Sequence, residues 1–267
     1  MPTAKELFDQ GKLKAAIEAL NGEIRAKPAD TKLRAFLGEL LCFAGEIDRA
    51  DRTFDIIMQQ NLEAAVPVAG VRHLLRGEMA RREVWREGRV PEFIDQPPEW
   101  MRQALQSTVL RRGGDIVGAA KCLAEAEAAR PAVTGTCNDA AFDDWRDADD
   151  ITAGFMEVLT ATGKYYWIPF GRIVDLTFEK PATTLDLLWR RAKIEVADGP
   201  EGEVYIPALY PGSDASEDEA IRLGRATDWI EEGEGMVRGA GQRCFMIGED
   251  LKSIMEIESL SFNGPAA

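Results

Sequence analysis

Residues 31–60 read TKLRAFLGELLCFAGEIDRADRTFDIIMQQ, and this stretch decides the fold expected for the first half of the chain. Gly45 and Ala50 follow Gly11 and Ala16 at the 34-residue period of the tetratricopeptide repeat (TPR), whose unit is a pair of antiparallel helices. One such unit cannot bury its own apolar face, so the repeated spacing predicts stacked helical hairpins.

The positions inside the repeat have physical roles. Gly38 is a small residue at the point where two helices approach, and Phe54 is expected to fill the space beside it. Gly11 and Gly45 occupy the turn between helices, where a positive φ favours glycine. Pro28 is expected to end the second helix, because proline cannot continue the helical hydrogen bonding.

A third unit is indicated further along the chain. Gly114, Ala119 and Pro131 repeat the offsets of the first unit, which leaves residues 61–89 as a diverged unit between recognisable ones. Apolar residues at helical spacing predict one helix over 65–86.

A proline-rich segment separates the diverged unit from the third one. Residues 90–98 contain Pro91, Pro97 and Pro98, which exclude a helix, and the next helix is expected near Glu99 with Trp100 packing inward.

The stacked hairpins predict a superhelix whose concave side binds a peptide or a helix, although such an array also serves as a scaffold for a second domain. Repeat geometry places residues of the second unit and of the third unit on the inner face, with Phe43 as the apolar anchor. The predicted inner-face residues are Lys32, Ala35, Glu39, Cys42, Phe43, Met101, Thr108, Arg111 and Arg112.

After Pro131 the pattern changes to short alternating segments bounded by glycine. Residues 156–159 and 165–168 predict a β-hairpin, and further strands are expected at 173–178, 192–196, 203–206 and 244–247. A short helix capped by Ser216 is expected at 216–223. The predicted fold is therefore a multidomain α + β protein, with a TPR-like α-α superhelix at 1–136 and a β-rich, mainly antiparallel domain at 137–267.

The composition restricts the function. The net charge is −14, which disfavours nucleic acid and anionic membrane as partners and suits a basic protein surface. The four cysteines are far apart, without a C-x-x-C pair, so no zinc site or disulfide framework is indicated. No signal peptide or transmembrane segment is recognisable, so the expected location is the cytoplasm.

The usual signatures of catalysis and of cofactor binding are missing. The single histidine, His73, has no nucleophile beside it in sequence, and Ser213 is not part of a G-x-S-x-G elbow. The glycines of 233–241 form neither a dinucleotide fingerprint nor a phosphate-binding loop. The aspartates of 143–150 lack the glycine and glutamate of a calcium-binding loop. No cofactor or metal is expected.

Five sequence blocks in the second half resemble the ImpE/TagJ accessory family of type VI secretion. The blocks are YYWIPF (165–170), LLWR (187–190), PALYPGS (207–213), LGRATDW (223–229) and GAGQR (239–243). The residues taken from them as a motif are Trp167, Trp189, Arg190, Tyr210, Arg225, Asp228, Trp229, Gln242 and Arg243.

The resemblance implies a cytoplasmic accessory protein without enzymatic activity. It implies binding of the N-terminal helix of the small sheath subunit, TssB, and a link to ClpV, the ATPase that disassembles the contracted sheath. Two alternatives are a hydrolase built on polar residues of the second half and a stably incorporated structural component.

The arginines of these blocks, together with Arg222, have two possible roles. With Trp189, Trp229 and the carboxylates Asp186 and Asp228, they form either a buried ion-pair and stacking network or a recognition surface.

Overall fold

The computed structural model describes residues 2–263. Helices occupy the first half of this range and strands the second half, as predicted. The helices are α1 (Ala4–Asp9), α2 (Leu13–Ala26), α3 (Thr31–Phe43), α4 (Ile47–Gln60), α5 (Ala65–Glu87), α6 (Glu99–Arg112), α7 (Ile116–Ala129) and the single turn α8 (Glu219–Arg222).

Three helical hairpins form where the repeats predict them: α1 with α2, α3 with α4, and α6 with α7. The turn glycines Gly11 and Gly45 have φ near +80°, which confirms their predicted conformation, and Gly114 of the third hairpin has the same φ. A Cβ atom on Gly38 would lie 2.6 Å from the Phe54 ring, so the close approach of α3 and α4 depends on glycine at this position.

The diverged unit is a single helix of 23 residues, α5, which ends at Gly88 in the left-handed conformation. This confirms the helix predicted at 65–86. It packs against α4 on one side and against the strands on another, where a Cβ atom on Gly77 would lie 3.2 Å from the Leu159 side chain. The arrangement of all three hairpins in one continuous superhelix stays a prediction.

Within the described residues the strands form three antiparallel sheets, which confirms the predicted β-rich second half. The largest sheet has the order β2-β1-β13-β6-β7-β8-β4-β5, a second sheet has the order β12-β11-β3, and β9 pairs with β10. The strands are β1 (Gly135–Cys137), β2 (Ala140–Phe142), β3 (Trp145–Asp147), β4 (Phe155–Thr160), β5 (Tyr165–Pro169), β6 (Ile173–Phe178), β7 (Trp189–Val196), β8 (Glu201–Pro207), β9 (Thr227–Glu231), β10 (Val237–Gly241), β11 (Cys244–Ile247), β12 (Asp250–Ser253) and β13 (Ser259–Phe262).

All the predicted strand segments fall within strands of the structure. The predicted hairpin is formed by β4 and β5, with Val158 paired to Tyr166. The predicted short helix is α8, but its cap is Asp218 rather than Ser216, because the Asp218 carboxylate accepts a hydrogen bond from the Ala220 amide at 2.8 Å.

Buried apolar residues of helices and strands form one contiguous core within residues 2–263. Its centre in the second half is aromatic: Trp145 stacks on Phe245, with ring centroids 4.9 Å apart, and Phe170 stacks on Phe262. The chain changes from helix to strand between Ala129 and Gly135. The division into units at 1–136 and 137–267 stays a prediction.

Candidate functional site

A buried charge network joins α5 to the sheets. The guanidinium of Arg81, on α5, donates to the Glu157 carboxylate of β4 at 2.8 Å. Arg243, which lies between β10 and β11, bonds to the same carboxylate and to Asp147 of β3, the latter at 2.9 Å. Arg81 is 6% exposed and the other three side chains are fully buried, so the charges compensate one another without water.

The network perturbs its carboxylates in opposite directions. Burial alone would raise the pKa of Glu157, but its two arginines, Arg81 and Arg243, hold it well below its usual range. Burial raises the pKa of Asp147 to about 6, against the lowering effect of Arg243. Glu157 therefore stays charged at every ordinary pH, while Asp147 takes up a proton in mild acid.

Aromatic hydrogen-bond donors complete the network. The indole N–H of Trp85 donates to Glu157 at 2.9 Å, and the Tyr165 hydroxyl bonds to the same carboxylate. The Trp167 indole donates to the Tyr165 hydroxyl at 2.6 Å. The Tyr210 hydroxyl donates to Asp147 at 2.9 Å. These contacts satisfy carboxylate oxygens that burial deprives of water.

Arginines next to α8 bind the ends of the N-terminal helices. Arg225 donates to the carbonyl oxygens of Phe8 and Asp9, at 2.6 and 2.8 Å, which caps the end of α1. Arg222 donates to the carbonyl of Ala44, after α3, at 3.3 Å. These bonds attach the first two hairpins to the second half of the chain.

The other motif residues also make internal contacts. The Gln242 amide donates to the Gly224 carbonyl at 2.9 Å, and Trp229 packs edge-on against Tyr210. Arg190 donates to the Ile257 carbonyl at 2.6 Å, and its burial lowers its pKa to about 10. The Trp189 indole donates to Glu78 at 3.2 Å.

The prediction that Asp186 and Asp228 pair with the motif arginines is wrong. Asp186 accepts the backbone amides of Ala182 and Thr183, and Asp228 accepts the amide of Trp229. The carboxylates that pair with Arg243 are Asp147 and Glu157, which come from strands distant in sequence. One feature of the sequence could have indicated that Glu157 is buried and paired: it is a lone charge within the apolar run FMEVL (155–159).

A small cleft, here called the arginine cleft, lies where the charge network meets the helices. Its walls include Trp85 and Trp189, the Leu209–Asp214 segment and residues of α3. Two of the five sequence blocks, LLWR and PALYPGS, therefore meet at this cleft. Its charged lining residues are Arg81, Arg82, Arg86, Arg222, Glu78 and Asp214.

The predicted inner face of the second repeat is not a free surface. Phe43 is 1% exposed and packs edge-on against Phe8, with ring centroids 5.9 Å apart, so the prediction of an accessible anchor is wrong. Glu39 is half-buried near Thr184, and burial raises its pKa. Cys42 is buried at the arginine cleft. These three side chains are covered by Phe8 of α1 and by residues of the second half such as Thr184 and Trp189.

The remaining residues of that surface are divided between core and rim. Lys32 is exposed and Ala35 is half-buried on α3. Met101 and Thr108, on α6, are buried. The two arginines at the end of α6 bind other parts of the chain: Arg111 pairs with Glu232, and Arg112 donates to the Val84 carbonyl at 3.1 Å. The structure does not bring these residues together as one groove.

A larger apolar groove, here called the strap groove, lies beside the proline-rich segment 90–98. Glu92 pairs with the outer edge of β5, donating to the Tyr165 carbonyl at 3.0 Å and accepting from the Trp167 amide at 3.1 Å. Phe93 and Ile94 follow, and both line each of two neighbouring cavities of about 270 and 410 Å³. The other apolar lining residues include Trp100, Met101, Val133, Val158, Trp167, Ile168, Phe170, Ile194, Val196 and Val204.

Comparisons with known proteins identify the family. The chain is 31% identical over 259 residues to the type VI secretion system accessory component TagJ of Pseudomonas aeruginosa, covering 97% of this chain and 90% of that protein. The family model described as ImpE protein matches residues 139–261. The chain belongs to the ImpE family. The crystal structure of protein VPA1032 from Vibrio parahaemolyticus superposes on this ImpE-family chain with a TM-score of 0.91 and 27% identity, over 97% of both chains.

The segment that matches the ImpE family model contains all five sequence blocks. In this ImpE-family chain the blocks contribute to the charge network, the arginine cleft and the caps on the hairpins. Their residues therefore lie mainly where the second half contacts the helices.

Two further properties concern residues 2–263. None of the helices in that range combines the length and the apolar character that a membrane span requires. The same range contains no cluster of three or more histidine, cysteine, aspartate or glutamate side chains arranged to hold a metal ion.

Proposed function

We propose that this protein is a cytoplasmic, non-enzymatic accessory of a type VI secretion system that binds the N-terminal helix of the small sheath subunit, TssB. The relationship to TagJ over 97% of the chain carries the proposal. We further infer that the protein acts together with ClpV in sheath disassembly, and that its hairpins form a short TPR-like superhelix.

The strap groove supports binding of an amphipathic helix. Its two cavities share Phe93, Ile94 and Ile168, so apolar side chains from one face of a helix have space on either side of the strap. Exposed carboxylates of Glu92 and Glu203 lie along the rim or next to it, whereas Asp95 is already paired with Arg172 at 2.7 Å. They favour basic residues on the flanks of the helix, as does the net charge of −14.

Calorimetric titration of a peptide with the sequence of the TssB N-terminal helix tests the proposal. We expect saturable binding, and absence of binding at about 100 μM peptide, a generous limit for a weak contact, would refute it. A matched pair of variants locates the site. Phe93→Ala is expected to weaken binding about tenfold or more, and Leu251→Ala, at an exposed residue of β12, is expected to have no effect.

The titrations of the wild type and of Phe93→Ala test the binding function and the position of the binding site separately. If the wild-type protein binds and Phe93→Ala binds equally well, the function holds and the strap groove is the wrong site. Co-sedimentation with assembled sheath in the presence and absence of ClpV then tests the link to disassembly. A fixed stoichiometric ratio in the sediment, unchanged by ClpV, would indicate a structural component instead.

A further inference from the structure

The arginine cleft differs in charge from the rest of the protein. Four arginines and two carboxylates line it, and because Arg81 is paired with Glu157 behind the wall, a formal surplus of one positive charge remains in a chain of net charge −14. Such a local reversal of sign attracts an anion. The rings of Trp85 and Trp189 form part of its wall, and apolar walls strengthen electrostatic attraction by excluding water.

Three of the four arginines already have carboxylate partners. Arg81 pairs with Glu157 at 2.8 Å, Arg82 with Glu78 at 3.1 Å, and Arg86 with Asp214 at 2.8 Å. Arg82 and Arg86 also lower the pKa of Asp214 against the raising effect of burial, which keeps that carboxylate charged.

Arg222 has no carboxylate partner among residues 2–263. Its contact with the Ala44 carbonyl is 3.3 Å long, and its Nε atom is buried without any hydrogen-bond acceptor. This long contact is the one side-chain hydrogen bond of Arg222 within that range, so the outer N–H groups of its guanidinium are available to a further acceptor. A guanidinium prefers the two oxygens of a carboxylate or a phosphate.

The small size of the cleft favours the smaller of these two anions. Its cavity volume is about 40 Å³, which is room for about three water molecules. A carboxylate group has three heavy atoms, whereas a phosphate group has five. We propose that the arginine cleft binds a carboxylate, with Arg222 as the residue that recognises it, and that the carboxylate comes from an aspartate or glutamate side chain or from the carboxy terminus of a peptide.

Titration of the full-length protein with sodium acetate tests the site, with sodium chloride at matched ionic strength as the reference. Tryptophan fluorescence is the readout, because Trp85 and Trp189 line the cleft. We expect a saturable change in the millimolar range that Arg222→Gln weakens about tenfold. Arg102→Gln, which removes an arginine of α6 that is 45% exposed and outside the cleft, is expected to respond like the wild type.

Two further probes distinguish the sources of the carboxylate. N-acetyl-glutamate amide carries only a side-chain carboxylate, and N-acetyl-glycylglycine carries only a terminal one, so the tighter of the two identifies the source. Tighter binding of inorganic phosphate than of acetate would overturn the assignment to a carboxylate. So would the absence of a saturable response to acetate, or an equal response in Arg222→Gln.

A measurement on the wild type keeps the proposal testable if Arg222→Gln does not fold. Crystals soaked in sodium acetate are expected to show difference density for an acetate ion in the arginine cleft, with its carboxylate directed at Arg222. An empty cleft under these conditions would refute the proposal.

Discussion

The two ends of the contact between helices and strands use arginine in opposite ways. At the sheet end, Arg81 and Arg243 are buried and paired with carboxylates. At the turn end, Arg225 is exposed and donates to backbone carbonyls of α1. A buried charge that loses its partner cannot be hydrated, whereas an exposed one can. The sheet end should therefore be sensitive to loss of a partner, and the turn end tolerant.

Loss of the central carboxylate is expected to have the largest effect. Glu157→Gln leaves Arg81 and Arg243 without full charge compensation in a region that excludes water. We expect the free energy of unfolding to fall by about 3–5 kcal/mol. Urea denaturation measures this, and a loss below about 1 kcal/mol would contradict the assigned role of the network.

The second prediction concerns pH and Asp147. Its pKa is about 6 in the folded chain and about 3.9 when unfolded, so the folded state holds the extra proton between these values. Its contribution to stability is therefore complete below about pH 4 and is lost as the pH rises through 6, about 3 kcal/mol in all. Glu157, with a lowered pKa, contributes with the opposite sign and only in more acidic solution.

Asp147→Asn removes that titration and isolates its effect. As the pH rises from 4 to 7, the unfolding free energy of the wild type is expected to decrease relative to that of the variant. Urea titrations at each pH measure this difference. Parallel pH profiles would show that Asp147 does not titrate in this range.

At the turn end, a smaller loss is expected. Arg225→Ala removes two hydrogen bonds to the end of α1 and a cation–π contact with Phe8, with the guanidinium carbon 5.4 Å from the ring centroid. Because water replaces these bonds, we expect a decrease in unfolding stability of about 1 kcal/mol, with faster amide exchange confined mainly to α1. A loss as large as that of Glu157→Gln would erase the distinction between the two ends.

The smallest effect is expected at an ion pair on the solvent-exposed surface of the sheet. Glu201 and Lys193 face each other on β8 and β7, 2.6 Å apart and more than half exposed. Glu201→Gln makes the same chemical change as Glu157→Gln, and its unfolding midpoint should be indistinguishable from that of the wild type. A clear shift here would mean that the cost of the substitution does not depend on burial.

The sequence predicted local structure far better than the long-range pairing. Turn glycines such as Gly45 and alternating strands such as β4 carry their conformation in neighbouring residues, so period and alternation located them. The partners of Arg243 could not be found in this way, because Asp147 and Glu157 lie on other strands and only the tertiary fold brings them together.

The predicted inner face failed for a related reason. Repeat geometry predicted that Phe43 lies on a binding face, but it contains no information about what occupies that face. In this chain Phe8 of α1 packs against Phe43, and Thr184 of the second half lies next to Glu39. Repeat spacing likewise gave no indication of the strap groove, which depends on the pairing of Glu92 with β5.

The contacts of Arg225 have a consequence for biosynthesis. The carbonyls of Phe8 and Asp9 lie more than 200 residues before the side chain that binds them, as does the Lys14 amide that donates to Glu219 at 2.7 Å. During translation the first hairpin leaves the ribosome long before these partners are made. The connection between α1 and α2 therefore lacks these hydrogen bonds until Glu219 and Arg225 have been synthesised.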